Sequence, residues 1–161
     1  MKIDKSALLE QIKTQLETDR VALMAAAQST YEAATGEESR PENEYDTRAL
    51  EASYLAGAQA KRVSDIDEQL AMVKTLELRF FNEKTPISAT ALIELDLEGH
   101  HSFVFLLPKG GGLFLNHKGT PVQIVTPISP LGEALIGLKM GDTALVEVGD
   151  ETREYEILQV E

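Results

Sequence analysis

The stretch YDTRALEASYLAGAQAKRVSDIDEQLAMV, residues 45–73, decides how the N-terminal half of this chain folds. Its apolar residues recur in alternating steps of four and three, which is typical of the contact seam of a coiled coil. The seam consists of Tyr45, Ala49, Ala52, Ala56, Val63, Ile66, Leu70 and Val73, with the polar Gln59 at one position. Residues 4–34 contain no Pro or Gly and carry a second seam: Leu9, Ile12, Leu16, Leu23 and Ala26, interrupted by Asp19. Two such seams predict an antiparallel helical hairpin.

The two predicted helices are joined by residues 35–46, TGEESRPENEYD, which we call the tip. Pro41 suits the first turn of the second helix. Carboxylate oxygens are the ligands that Mg²⁺ prefers, so Glu38 and Glu42 are candidate metal ligands at the tip. Acidic residues are also favoured at a helix N-terminus. A purely solvated tip is therefore the alternative interpretation.

The periodicity changes after residues 76–86, LELRFFNEKTP, and we place the boundary between a hairpin domain, residues 1–78, and a second domain, residues 79–161. In the second domain apolar and polar residues alternate, as in half-buried strands. Strands are predicted at 91–97, 101–107, 113–116, 122–126, 143–148 and 153–160. Ser129 can cap one short helix with Pro130 at its first position. The chain is thus predicted to be α+β.

Three further features have an ordinary interpretation. Adjacent residues on a strand point to opposite faces, so His100 and His101 are not expected to chelate one metal. Together with His117 they are interpreted as surface or hydrogen-bonded side chains. Gly110–Gly112 lacks the Lys-Ser/Thr that follows a phosphate-binding loop and is predicted to form a hairpin turn.

The composition limits the classes of function. A net charge of −12 argues against a protein that grips nucleic acid directly, because phosphate binding needs a basic face. The chain has no Cys, and its start alternates charged and apolar residues, unlike a signal peptide. No apolar run approaches the roughly 20 residues that span a bilayer. We therefore expect a cytoplasmic protein without membrane contact. No catalytic triad is assignable from spacing.

Residues 128–161, ISPLGEALIGLKMGDTALVEVGDETREYEILQVE, resemble the C-terminal segment of the Gre-type (GreA/GreB) transcript-cleavage factors of bacterial RNA polymerase. The resemblance rests on Ser129-Pro130, the apolar helix that closes on Ala-Leu-Ile-Gly, the Gly-Asp turn and the final Tyr-Glu-Ile strand. At the tip, Glu42-Asn43 is similar to the Glu-Asn pair of the family. The family pattern places an Asp three residues earlier, where this chain has Ser39. In the gapless alternative, Glu38 takes the Asp position and Pro41 the Glu position.

The resemblance implies an FKBP-like C-terminal domain that docks through Ser129 and Pro130 on the rim of the polymerase secondary channel. The hairpin would then enter the channel. Glu38 and Glu42 would help hold a Mg²⁺ shared with the polymerase, which itself cleaves the 3′ end of backtracked RNA. The chain would be a monomeric accessory factor, not an enzyme, with no cofactor of its own. The family usually has Asp or Asn before Ser-Pro, and this chain has Ile128.

Three other functions stay open on the residues alone. The first is a polymerase-binding regulator without cleavage activity, since neither alignment keeps both tip acids. The second is a coiled-coil interaction module with another partner. The third is an FKBP-type peptidyl-prolyl isomerase, which needs an aromatic-lined site, although the chain contains no Trp.

Overall fold

The structure, a computed structural model, describes residues 3–36, 40–44 and 47–161. Two long helices precede a six-stranded sheet that carries one short helix. The elements are α1 (Lys5–Thr35), α2 (Arg48–Thr75), β1 (Leu92–Leu97), β2 (His100–Leu106), β3 (Phe114–His117), β4 (Thr120–Val125), α3 (Pro130–Leu135), β5 (Thr143–Val148) and β6 (Glu151–Val160). The predicted α+β class is confirmed.

The chain divides into two compact units. A helical unit comprises Ile12–Lys74. A C-terminal unit comprises Thr75–Glu161 together with the described residues that precede Ile12. The predicted boundary after residue 78 lies four residues beyond this division, and the prediction grouped residues 1–11 with the hairpin. None of the described helices combines the length and the apolar character needed to cross a membrane.

The helical unit buries the seam that the sequence predicts for α2. Ala56, Ile66, Leu70 and Val73 are buried, and the remaining described seam residues are half-buried. Tyr45 lies outside the described residues. Arg20 of α1 donates a hydrogen bond to the carboxylate of Asp67 in α2. Both residues lie about four to five turns from the connection between the helices, as expected for an antiparallel hairpin.

The seam of α1 departs from the prediction at one position. Ile12 and Leu16 are buried and Leu23 is half-buried, but Ala26 is exposed and Ala27 is half-buried instead. The prediction of Ala26 is therefore wrong. A straight α-helix has 3.6 residues per turn, so a strict heptad row drifts around its surface and the buried row continues one residue later.

The second helix begins later than predicted. Pro41 is not in its first turn, because α2 starts at Arg48. Thr47 directly precedes the helix: its carbonyl accepts a hydrogen bond from the N–H of Glu51 at 2.9 Å, and its hydroxyl donates to the Glu51 carboxylate at 2.9 Å. The first bond is the opening backbone bond of the helix, and the second links two side chains one turn apart. Thr47, and not Pro41, therefore marks the beginning of α2.

The sheet has the strand order β3-β4-β2-β1-β6-β5. All neighbouring strands are antiparallel except β2 and β4, which pair in parallel from Phe103–Val122 to Leu106–Val125. Because β2 and β3 are not neighbours, the prediction that Gly110–Gly112 forms a hairpin turn is wrong. These glycines lie in a crossover that takes the chain from β2 to the edge strand β3. The β5–β6 connection, in contrast, joins antiparallel neighbours.

The core of the C-terminal unit forms between one face of this sheet and α3. Its buried side chains are Ile87, Ala91, Ile93, Leu95, Val104, Leu106, Val125, Leu135, Ala144, Ile157 and Val160. Strand β1 supplies Ile93 and Leu95 and lies between β2 and β6, so it is central to the sheet. Leu135 contributes the buried face of α3.

Replacing Leu95 with Ala is expected to lower the free energy of unfolding by about 2–5 kcal/mol, because Leu95 is fully buried and its truncation leaves a cavity. Urea titration followed by circular dichroism measures this loss. Leu145→Ala on the edge strand β5 is the matched control, since Leu145 is 59% exposed. It should change stability by no more than about 0.5 kcal/mol. Equal effects of the two substitutions would contradict the assignment of the core.

The segment that leads from α2 into the sheet is held by Lys5. Its ammonium group donates to the carbonyl oxygens of Arg79 at 2.6 Å and Thr90 at 3.0 Å. It also lies 5.0 Å from the centre of the Phe81 ring, within range of a cation–π contact. Burial lowers the pKa of Lys5, and the charge of Glu161 opposes this shift. The start of α1 thus anchors the beginning of the C-terminal unit.

Candidate functional site

The Ser129-Pro130 turn is built by a network of short-range hydrogen bonds. The hydroxyl of Ser129 donates to the carbonyl of Thr126 at 2.8 Å, and the backbone N–H of Ser129 donates to the same oxygen at 2.9 Å. The N–H of Gly132 donates to the Ser129 hydroxyl at 3.1 Å. Ser129 is therefore the N-cap of α3, with Pro130 at the first helical position. Both features of the predicted short helix are confirmed.

Gly132 allows this turn to close. A Cβ atom at position 132 would lie 1.9 Å from the carbonyl oxygen of Thr126 and 2.7 Å from its carbonyl carbon. Atoms of the main chain cannot give way as the end of a flexible side chain can. Only glycine therefore fits at position 132 while the Thr126 carbonyl accepts both hydrogen bonds from Ser129.

The turn presents an apolar surface to solvent. Ile128 is 91% exposed, Pro130 is exposed, and Ser129 between them is half-buried. Ile128 directly precedes Ser129, the N-cap of α3. An isoleucine this exposed contributes nothing to the core of the unit, and it is available for contact with another molecule.

A shallow groove lies beside the turn. Its lining includes Ile128–Leu131, the glycine segment Gly110–Gly112, and Val146, Arg153 and Tyr155 from β5 and β6. Gly111 packs closely against Thr126, since a Cβ atom there would lie 3.1 Å from the Thr126 methyl group. The crossover between β2 and β3 therefore forms one wall of the groove. The glycine run is visible in the sequence, but its contact with Thr126 is not, because that contact depends on the strand order.

The tip acids are described only in part. Glu42 is exposed, and its carboxylate lies 3.3 Å from the guanidinium of Arg48 at the start of α2. Glu38 lies outside the described residues. Among the residues that the structure does describe, no three His, Asp or Glu side chains form a metal-binding group. The pairing of Glu38 with Glu42 across one Mg²⁺ therefore stays a prediction.

Two of the three histidines are surface or hydrogen-bonded side chains, as interpreted from the sequence. His100 is exposed, and exposed His101 lies 2.9 Å from the carboxylate of Glu94. His117 is only 3% exposed, and within the described part of the chain its Nε2 has no hydrogen-bond partner. The interpretation is wrong for His117, which is neither at the surface nor fully hydrogen-bonded.

Residues 119–161 match the family model described as "Transcription elongation factor, GreA/GreB, C-term". This C-terminal segment is similar to that of the GreA/GreB factors. The matched residues include β4, α3, β5 and β6, and therefore the Ser129-Pro130 turn. The GreA/GreB resemblance expected from the sequence is confirmed over this segment. No curated protein matches the chain.

Solved structures of Gre-type factors match this chain at low sequence identity and low TM-score. GreA factor homolog 1 (Gfh1) of Thermus thermophilus is 19% identical, with 95% of this chain and 94% of that chain covered and a TM-score of 0.38. Gfh1 of Thermus aquaticus is 20% identical, with 94% and 92% covered and a TM-score of 0.39. A GreA/GreB factor from Nitrosomonas europaea is 21% identical, with 59% and 78% covered and a TM-score of 0.36. Because these TM-scores lie below 0.5, we infer nothing about this chain from the three structures.

Proposed function

We propose that this chain is a Gre-type elongation factor that binds RNA polymerase. The observation that carries the proposal is the GreA/GreB C-terminal segment, in which the Ser129-Pro130 turn is both exposed and rigidly built. A surface turn whose backbone and side-chain hydrogen bonds are already made loses little conformational freedom on binding. Ser129 and Pro130 are accordingly assigned to docking, as the resemblance implies.

The helical unit supplies the part that would enter the secondary channel. Helix α2 has 28 residues and is therefore about 42 Å long. Its seam toward the tip is made of alanines, including half-buried Ala49 and Ala52 and buried Ala56. Small seam residues let two helices approach closely, which keeps the hairpin narrow. A long, narrow hairpin suits a confined channel.

In this proposal the tip acids act at the polymerase active site. Glu38 and Glu42 would supply carboxylate oxygens to a Mg²⁺ that the polymerase holds, near the 3′ end of the nascent RNA. The polymerase performs the cleavage, and this chain contributes ligands and position. The factor acts as a monomer in this scheme, and it requires no cofactor of its own.

A second candidate function, a polymerase-binding regulator without cleavage activity, is favoured by the contact between Glu42 and Arg48. A carboxylate that pairs with a guanidinium at 3.3 Å has part of its negative charge neutralised, which weakens it as a metal ligand. Both residues are largely exposed, so the pair itself is weak and can open when a metal competes. Transcript cleavage in stalled elongation complexes separates the two candidates, since only the first shortens the RNA.

Affinity capture from an extract of the source cells tests the shared part of both candidates. The full chain, immobilised through its C-terminus, should retain the subunits of core RNA polymerase. Retention of other proteins without polymerase subunits would instead favour a coiled-coil interaction module with a different partner. A beads-only capture and a capture with an unrelated acidic protein of similar charge are the controls.

A further inference from the structure

A second concave surface, which we call the Phe80 cleft, has a volume of about 1200 Å³. It is lined by residues 3–6, 78–84 and 158–161 together with Met140, all of which belong to the C-terminal unit. It shares no lining residue with the groove beside the turn at the start of α3. Clefts that bind small molecules commonly have volumes of roughly 300–1,000 Å³. The Phe80 cleft is therefore large enough to hold a small molecule.

The wall of the cleft formed by residues 78–84 is held in place by hydrogen bonds, although it contains no helix or strand. The backbone N–H of Arg79 donates to the hydroxyl of buried Thr90 at 2.9 Å. The carbonyl of Asn82 accepts a hydrogen bond from the N–H of Thr85 at 2.9 Å, which closes the turn at the end of the wall. A wall that is already ordered loses little conformational freedom when a ligand binds.

This ordered wall exposes an aromatic ring. Phe80 is 99% exposed, and it lines the cleft together with half-buried Phe81 and with Met140, which is 38% exposed. A phenyl ring that is this exposed contributes nothing to the core of the unit. Apolar surface that borders a concave site is typical of ligand-binding sites, and aromatic rings pack favourably on other flat rings. The ring of Phe80 therefore suits a ligand with a planar apolar body.

Three cations that line the cleft have no carboxylate partner in the described part of the chain: Lys5, Arg79 and Lys84. Lys5 donates only to backbone carbonyls, and Arg79 contacts the hydroxyl of Ser88 at 3.5 Å. Burial lowers the pKa of Lys5, and the charge of Glu161 offsets this shift only in part. A partly buried cation that contacts only neutral groups is stabilised by an anion brought close to it.

The acidic residues of the lining do not outweigh these cations. They are also three in number, Asp4, Glu83 and Glu161, so the lining is electrically balanced while the whole chain carries −12. Asp4 accepts a hydrogen bond from the N–H of Ser6 at 2.9 Å, and Glu161 accepts one from the side-chain amide of Gln159 at 3.0 Å. An anion therefore meets less repulsion in this cleft than over most of the surface.

We propose that the Phe80 cleft binds a small planar anion, with its flat apolar body against Phe80 and its anionic group beside Lys84, Arg79 and Lys5. A planar cation fits less well, because three cations without carboxylate partners surround the site. The inference goes beyond the proposed function and does not depend on binding to RNA polymerase. It gives the C-terminal unit a small-molecule site in addition to its docking turn.

Titration of the full-length protein with anilinonaphthalene sulfonate, a fluorescent aromatic anion, tests this inference. We expect a saturable rise in fluorescence with a Kd of about 100 µM or tighter. Naphthoate should displace the dye. Naphthalenemethanol has the same ring system without the charge, and it should compete at least about tenfold more weakly.

Substitutions in the lining locate the dye. Phe80→Ser should weaken its binding by about tenfold through the loss of ring packing, and Lys84→Gln by about threefold through the loss of one charge. The matched controls are Phe114→Ser on β3 and Lys61→Gln on α2, which are exposed and do not line the cleft. Both controls should bind the dye within about 1.5-fold of the wild type. Thermal melts should coincide for all four variants, because every replaced side chain is exposed.

Three results would overturn the inference. The first is the absence of saturable dye binding by the wild type. The second is equal dye affinity for Phe80→Ser and Phe114→Ser, which would place the dye elsewhere on the protein. The third is equal competition by naphthoate and naphthalenemethanol, which would exclude a site for anions. Binding to polymerase is measured separately, so each of these results leaves the proposed function standing.

Discussion

Replacement of Gly132 by Ala is expected to destabilise the C-terminal unit by about 3 kcal/mol, through overpacking against the main chain. The added Cβ would lie 1.9 Å from the carbonyl oxygen of Thr126, so either α3 or residue 126 must move. Movement of Thr126 breaks the two hydrogen bonds that its carbonyl accepts from Ser129. The variant should therefore also lose affinity for RNA polymerase. Thermal unfolding followed by circular dichroism measures the first effect.

Gly57→Ala is the control for this substitution. Gly57 lies inside α2, and a Cβ atom there would meet nothing within 4 Å. Alanine favours a helix over glycine by about 1 kcal/mol, so Gly57→Ala should stabilise the protein. The same chemical change is thus expected to have opposite signs at the two positions. If Gly132→Ala left both the melting temperature and polymerase binding unchanged, the described geometry of the turn would be incorrect.

The double substitution Glu38→Ala and Glu42→Ala is expected to reduce transcript cleavage in stalled complexes by at least about a hundredfold, while binding to polymerase is retained. The physical reason is the loss of both carboxylates that would complete the shell of the Mg²⁺ held by the polymerase. Cleavage is measured by the shortening of 3′-extruded RNA over time, at a factor concentration that saturates binding. At saturation, slower cleavage reflects the loss of the metal ligands and not weaker binding to the polymerase.

The matched control removes two carboxylates from the helices instead of from the tip. Glu17→Ala and Asp65→Ala take two exposed acids from the faces of α1 and α2, and this variant should stimulate cleavage like the wild type. Full cleavage by the Glu38→Ala and Glu42→Ala variant would exclude these acids as metal ligands. Binding of the wild type without any cleavage would instead support the second candidate function, a polymerase-binding regulator without cleavage activity.

The helical part of the fold could be predicted because its information is local and periodic. The α2 seam from Ala49 to Val73 repeats every three or four residues, and burial follows it. The two errors in the helices, at Ala26 and at Pro41, arose where a second physical effect outweighed the local sequence pattern. A heptad row drifts on a straight helix, which moved burial from Ala26 to Ala27. Pro41 looked like a helix start, but Thr47 makes the hydrogen bonds that begin α2.

The pairing of the strands could not be predicted in the same way. The parallel pairing of β2 with β4 joins segments separated by β3, and nothing in the local pattern of Gly110–Gly112 distinguishes a crossover from a hairpin turn. The predicted docking residues, Ser129 and Pro130, lie in one local motif and were visible in the sequence. The groove beside them was not recognised, because only the strand order brings the segments that line it together.

Binding of the purified chain to purified core RNA polymerase tests the central claim most directly. A fluorescent label attached by a sortase tag at the C-terminus allows titration with polymerase, followed by anisotropy. We expect saturable binding with a Kd of about 1 µM or tighter, and a weaker Kd for Gly132→Ala than for Gly57→Ala. Absence of saturable binding at polymerase concentrations of about 10 µM would contradict the assignment of this chain as a polymerase-binding factor.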